Sequence, residues 1–120
     1  MTPPRRQVQR GQVYDLSLHG THYFVVVSNN ARNANLPTFV GVRITSKIKK
    51  RGFPSVVELS EDDGRTAQGV DGQPLTGLVL CDTILQLPPE GTGLIPHLRG
   101  YLTPDTMLKV DTALRVALDL

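Results

Sequence analysis

The chain has 120 residues, 39% of them hydrophobic and 20% charged, which is enough for one hydrophobic core and excludes a disordered chain. Twenty of its residues are Gly or Pro (11 and 9), favouring short strands joined by turns over a helical bundle. A net charge of +2 hides an asymmetry: nine Lys or Arg against Asp15 alone up to Arg51, then four against ten acids, which points to a polyanionic partner on one side or to charges meeting across the fold.

Residues 1–9 read as a flexible polar leader before a single domain over 10–120, without the apolar core of a signal peptide. Gln12 to Leu18 alternates polar and apolar, as a strand with one buried face does. After a short turn holding His19 and His22, Tyr23-Phe24-Val25-Val26-Val27 is a β-branched and aromatic run, a central strand buried on both faces. Ser28 or Asn29 can cap a short helix that ends at Asn35-Leu36-Pro37. Thr38 to Thr45 is the next strand, with Val40, Val42 and Ile44 on one face and Gly41, Arg43 and Thr45 on the other.

Lys47, Lys49, Lys50 and Arg51 then form a basic loop, either a solvated surface or a track for phosphates. Pro54 to Leu59 reads as a strand. Residues 60–76, acidic and poor in apolar side chains, read as a long mobile loop. Gly77 to Cys81 and Ile84 to Leu87 give a strand interrupted near Asp82, and Leu98 to Leu102 a short last one. Thr103 as N-cap, Pro104 at the first position and Asp105 beside it open a helix of about four turns. Its apolar stripe is Met107, Val110, Leu114 and Ala117 or Leu118. The sum is a small barrel-like sheet with one or two helices packed on it. Cys81, the only cysteine, lies in an apolar run and reads as a buried small hydrophobe rather than a nucleophile.

The ordered set of segments Arg10-Gly11-Gln12-Val13, Val25-Val26-Val27-Ser28-Asn29, Val42-Arg43-Ile44-Thr45-Ser46, Leu80-Cys81-Asp82-Thr83-Ile84 and Leu102-Thr103-Pro104 resembles the MazF/PemK/Kid toxins of type II toxin–antitoxin systems. The resemblance implies a mainly β, SH3-like barrel of the CcdB/MazF kind with a C-terminal helix. It also implies a cytoplasmic homodimer that cuts single-stranded RNA, with no cofactor and no membrane association, held in check by a MazE-like antitoxin. In such chemistry the RNA's 2′-OH attacks the adjacent phosphate, leaving a 2′,3′-cyclic phosphate. A base takes its proton, an acid protonates the leaving oxygen, and a cation steadies the phosphorane. The sequence shows no spaced Cys/His cluster for zinc.

Where the family carries Arg-Pro, this chain has His22-Tyr23, and the arginine of the Kid branch is replaced by Leu80. Arg43, on the same strand face as Thr45, can supply the missing guanidinium. The candidate catalytic set is Arg43, Thr45, His22 and Asp82, with His19 an alternative to His22. Arg10, His19, Asn29, Asn30, Ser46, Lys47, Lys49, Lys50 and Arg51 are candidates for holding RNA. Asn29 and Asn30 have capping as their other reading, and Arg10 with Gly11 can equally shape the start of the first strand. A gyrase-binding toxin of the same fold and a plain SH3-like RNA-binding module are the competing functions.

Overall fold

The computed structural model describes residues 7–17, 20–46, 52–89 and 91–120. The elements run β1 (Gln12–Ser17), β2 (Thr21–Val26), α1 (Asn30–Asn35), β3 (Phe39–Thr45), β4 (Val56–Glu58), α2 (Glu61–Thr66), β5 (Leu78–Leu87), β6 (His97–Tyr101) and α3 (Pro104–Leu118). The strands form one antiparallel sheet in the order β4-β5-β3-β2-β1-β6. It is mainly β with a C-terminal helix, but the expected barrel does not close: β4 and β6 stay as edges. Three-residue β4 is a short edge of the kind that resists pairing with other chains.

The β-branched run fixes the centre of the sheet. Phe24, Val25 and Val26 are all buried, and alternation sends them into two cores. On one face Val13, Val25, Val42, Ile44 and Val79 pack with Met107, Val110 and Ala113 of α3. On the other, Tyr14, Leu16, Phe24, Val26, Phe39 and Leu87 cluster, with Val8 and Leu94 against them. Leu118, a possible member of the helix stripe, is exposed instead, and Ala113 is buried. Thr103 caps α3 by accepting the Thr106 N–H. Cys81 is fully buried, and burial, with Asp82 beside it, pushes its thiol up to about 12.

Residues 60–76 are not a long loop. They hold α2 and a compact turn, because Ser60 and Asp63 form a capping box. The Asp63 carboxylate is completely buried and accepts from Ser60 N and Oγ (2.8 and 2.9 Å), Thr103 N and Oγ1 (2.8 and 3.0 Å) and Thr106 Oγ1 (2.6 Å). One side chain thus joins the starts of α2 and α3. The end of α2 also lies tight against β6: a Cβ on Gly100 would sit 2.0 Å from the Thr66 carbonyl oxygen, so only glycine allows this approach.

Candidate functional site

β2 and β3 are neighbours in regular register, with Phe24 opposite Arg43 and Tyr23 opposite Ile44. On β1, Leu16 stands opposite His22 and Tyr14 opposite Phe24. Paired residues point to the same side of a sheet, so His22, Arg43 and Thr45 share the face of the second core, at its end. There a pocket of about 210 Å³ is lined by Thr21, His22, Tyr23, Arg43, Ile44, Thr45, Ser46, Leu75 and Thr76. It offers one guanidinium, one imidazole and several hydroxyls, and no carboxylate lines it.

Arg43 bears the sharpest signal. Its Nε is the one buried side-chain nitrogen or oxygen without a hydrogen-bond partner among the described residues. A buried N–H with no acceptor costs free energy, and native proteins keep few of them. Such a donor beside hydroxyls and imidazole suits an anionic oxygen entering the pocket. The imidazole of His22 carries one nitrogen that can accept a proton and one that can donate one.

Three of the four candidate catalytic residues, His22, Arg43 and Thr45, therefore meet, and Ser46 joins them. Asp82 does not line this pocket. It is exposed and borders a separate cleft with Phe53, Ser55 and Val56. The register shows why: Arg43 pairs with Leu80 but Val42 with Ile84, so residues 81–83 bulge out of the ladder. Arg10 and the two asparagines hold the fold together elsewhere. Arg10 donates to the Val27 carbonyl (3.0 Å) and pairs with Asp111 of α3. Asn29 caps α1 by accepting from Arg32 N at 2.8 Å, and Asn30 accepts from Arg10 N at 2.7 Å. His19, Lys47, Lys49, Lys50 and Arg51 lie outside the described residues. His97 is solvated, 3.6 Å from buried Asp15, which also accepts from Arg99 Nε.

Sequence reasoning missed Tyr23, Leu75 and Thr76. The last two reach the pocket because Gly77 passes directly over Thr45: a Cβ on Gly77, at φ 126°, would lie 2.2 Å from the Thr45 carbonyl oxygen. The dipeptide Thr76-Gly77 before a strand was the available signal, and it does not name its partner. Larger clefts of about 480 and 490 Å³ lie between β4 and α3 and around Gln12 and Tyr101, but neither gathers imidazole with guanidinium. Among the described residues no group of three or more His, Cys, Asp or Glu side chains could hold a metal ion.

A six-stranded antiparallel sheet backed by a terminal helix, with Arg, Thr and His gathered where β2 begins and β3 ends, is an arrangement suited to holding a phosphodiester. A family model described as PemK-like, MazF-like toxin of type II toxin–antitoxin system matches residues 9–118. The chain is 38% identical over 112 residues to Endoribonuclease MazF1 of Mycobacterium bovis, covering 92% of each, and equally so to Endoribonuclease MazF4 of Mycobacterium tuberculosis. Among solved structures it resembles an endoribonuclease in complex with its cognate antitoxin from a mycobacterial species, with TM-score 0.76 and 38% identity over 94% of this chain and 96% of that one. A MazE-MazF crystal structure from Deinococcus radiodurans, 21% identical with TM-score 0.73 over 97% of this chain and 99% of that one, shares the fold. The chain belongs to the PemK-like, MazF-like toxin family of type II toxin–antitoxin systems.

Proposed function

We propose that this toxin is an endoribonuclease that cuts single-stranded RNA by attack of the 2′-OH on the neighbouring phosphate. The reading rests on one observation above others: the buried, unpartnered Nε of Arg43 in a pocket shared with His22, Thr45 and Ser46. Relatives at 38% identity named endoribonucleases support it. The attacking oxygen must lose a proton as it bonds to phosphorus, and His22 is the pocket's proton acceptor. Negative charge grows on the non-bridging oxygens, where the Arg43 guanidinium can make paired hydrogen bonds. The hydroxyls of Thr45 and Ser46 can hold those oxygens from the β3 side. The 5′-oxygen leaves as the P–O bond breaks and takes up a proton, so the downstream fragment begins with a 5′-OH and the upstream fragment keeps the phosphate at its 3′ end as a 2′,3′-cyclic diester.

The reaction uses the substrate's own nucleophile, so the scheme assigns no step to a metal. The same reading includes action in the cytoplasm as a homodimer, and inhibition by a MazE-like antitoxin that competes for the RNA site. No helix among the described residues is long and apolar enough to cross a membrane. The deciding experiment incubates purified protein with mixed RNA in EDTA and maps the termini. Cleavage at defined sites with 2′,3′-cyclic phosphate ends is expected. Activity that disappears in EDTA and returns with Mg²⁺ would falsify the scheme, and intact RNA under both conditions would favour a toxin that binds a protein target.

A further inference from the structure

Tyr23 stands at the junction of two parts of the molecule that the sheet alone does not connect. Tyr23 lines the pocket, and its side chain packs against the core that includes Met107, Val110 and Ala113 of α3. Its hydroxyl reaches away and accepts the N–H of Val70 at 2.8 Å. Val70 is the second residue of a four-residue turn, Gly69 to Gly72, closed by Gly72 N–H to the Gly69 carbonyl at 3.0 Å. The approach is close: a Cβ on Gly69 would lie 3.0 Å from the Tyr23 oxygen.

The segment carrying that turn is tied down at its base. Gln68 N–H donates to the Arg99 carbonyl and Leu75 N–H to the Ala67 carbonyl, both at 3.0 Å, while Gly69 N–H meets the Gln73 carbonyl at 2.9 Å. Its far end is the pocket wall, with Leu75 buried in the core and Thr76 exposed to the cavity. Among the described residues, the tip of the segment is fastened to the sheet by one side-chain hydrogen bond, that of Tyr23.

We infer that Tyr23 is a positioning residue: its hydroxyl latches the Gly69–Gly72 turn and thereby fixes the Leu75–Thr76 wall against which the RNA strand lies beside Arg43 and Thr45. The inference rests on the RNA-cleaving reading above. Tyr23 moves no proton in it. The latch sets the width of the pocket and holds the ring in one orientation, so its loss weakens binding of RNA rather than the chemical step.

The bond can be deleted from either side. Tyr23→Phe removes the acceptor and keeps the ring. Val70→Pro removes the donor, and the second position of a β-turn is where proline is best tolerated. The test compares these two variants and their combination on a short RNA carrying one mapped cleavage site. Each single variant should raise KM about threefold to tenfold, the scale of one neutral hydrogen bond, with kcat within about twofold. The double variant should be no worse than either single one, because both remove the same bond. Hydrogen exchange of unliganded protein should quicken over 68–76 and stay unchanged in β2 and β3.

Additive losses, an unchanged KM with only a lower melting temperature, or unaltered exchange over 68–76 would each overturn the latch. Wild-type protein that fails to cut RNA at all sinks the assignment of the pocket instead, and the exchange measurement then judges the latch by itself.

Discussion

Arg43 is an expensive residue to hold in the middle of a sheet. Its Nε is out of contact with water and has no acceptor, so the folded protein carries a desolvation cost that a bound anion can offset. Removing the side chain should therefore cost activity far more than stability. Arg43→Ala is expected to lose on the order of 10²-fold or more in cleavage rate, the scale seen when one transition-state donor is deleted, while its melting temperature stays close to wild type. Arg43→Lys keeps the charge but not the fork, and should retain part of the activity. Single-turnover cleavage and thermal unfolding of the same preparations check both halves. An Arg43→Ala protein that folds normally and cuts at the wild-type rate would move the cationic role elsewhere, with His22 as the remaining candidate in the pocket.

Among the elements, those with a strong local period were legible. β1, β2, β3 and α3 follow from alternation, from a β-branched run and from Thr103-Pro104 ahead of an apolar stripe. The alternation in β3 also put Arg43 and Thr45 on one face, and the resemblance to the toxin family singled them out. α2 was illegible by the same logic. Its sequence, Glu61-Asp62-Asp63-Gly64-Arg65-Thr66, has no apolar face and contains a glycine. What stabilises it is Asp63, whose partners Thr103 and Thr106 lie 40 and 43 residues away. Ser60 three residues before Asp63 was the local clue. The Leu75–Thr76 wall was hidden for a related reason, since its place depends on Gly77 meeting the Thr45 backbone. Asp63 also yields a pH prediction. Burial on its own raises the carboxyl, but hydrogen bonds from Thr106, Thr103 and Ser60 outweigh it and hold the group below its ordinary value. A folded-state value below the unfolded one adds stability that is complete above the unfolded pKa and is lost as pH falls through the folded value. Asp63→Asn should thus destabilise by about 1–3 kcal/mol at pH 7, and the gap should narrow below about pH 4. Urea unfolding of both proteins across that range measures it; a gap constant down to pH 3 would mean the charge is irrelevant to the joint.

At the scale of the whole molecule, charge and the pocket lie close along the chain. Nine of the thirteen Lys and Arg precede Gly52, and the densest run, Lys47, Lys49, Lys50 and Arg51, begins one residue after Ser46, which lines the pocket. A fully extended chain spans at most about 3.6 Å per residue, so Arg51 is within roughly 18 Å of Ser46 whatever path the segment takes. That is the reach of a few nucleotides on either side of a scissile phosphate. Large apolar side chains also remain exposed, among them Phe53, Ile95, Leu108 and Leu120, which a homodimer can bury in part. Sedimentation at micromolar concentration should accordingly give twice the chain mass, and a fully active monomer would contradict the dimer. The basic run makes the sharper prediction. Each phosphate it neutralises releases counterions, so RNA affinity should fall with salt by about 0.7 in the logarithmic slope per contact on a single strand. Lys49→Ala should weaken binding modestly and flatten that slope by about this amount, leaving the cleavage step of bound RNA unchanged. Arg43→Ala should instead slow cleavage of bound RNA. Anisotropy titrations of a 2′-O-methyl RNA, which lacks the attacking hydroxyl, between 50 and 300 mM salt separate the two effects. If Lys49→Ala binds with the wild-type slope, and a Lys49→Ala, Lys50→Ala double variant does too, the basic run is a solvated surface, and RNA meets the protein through the pocket alone.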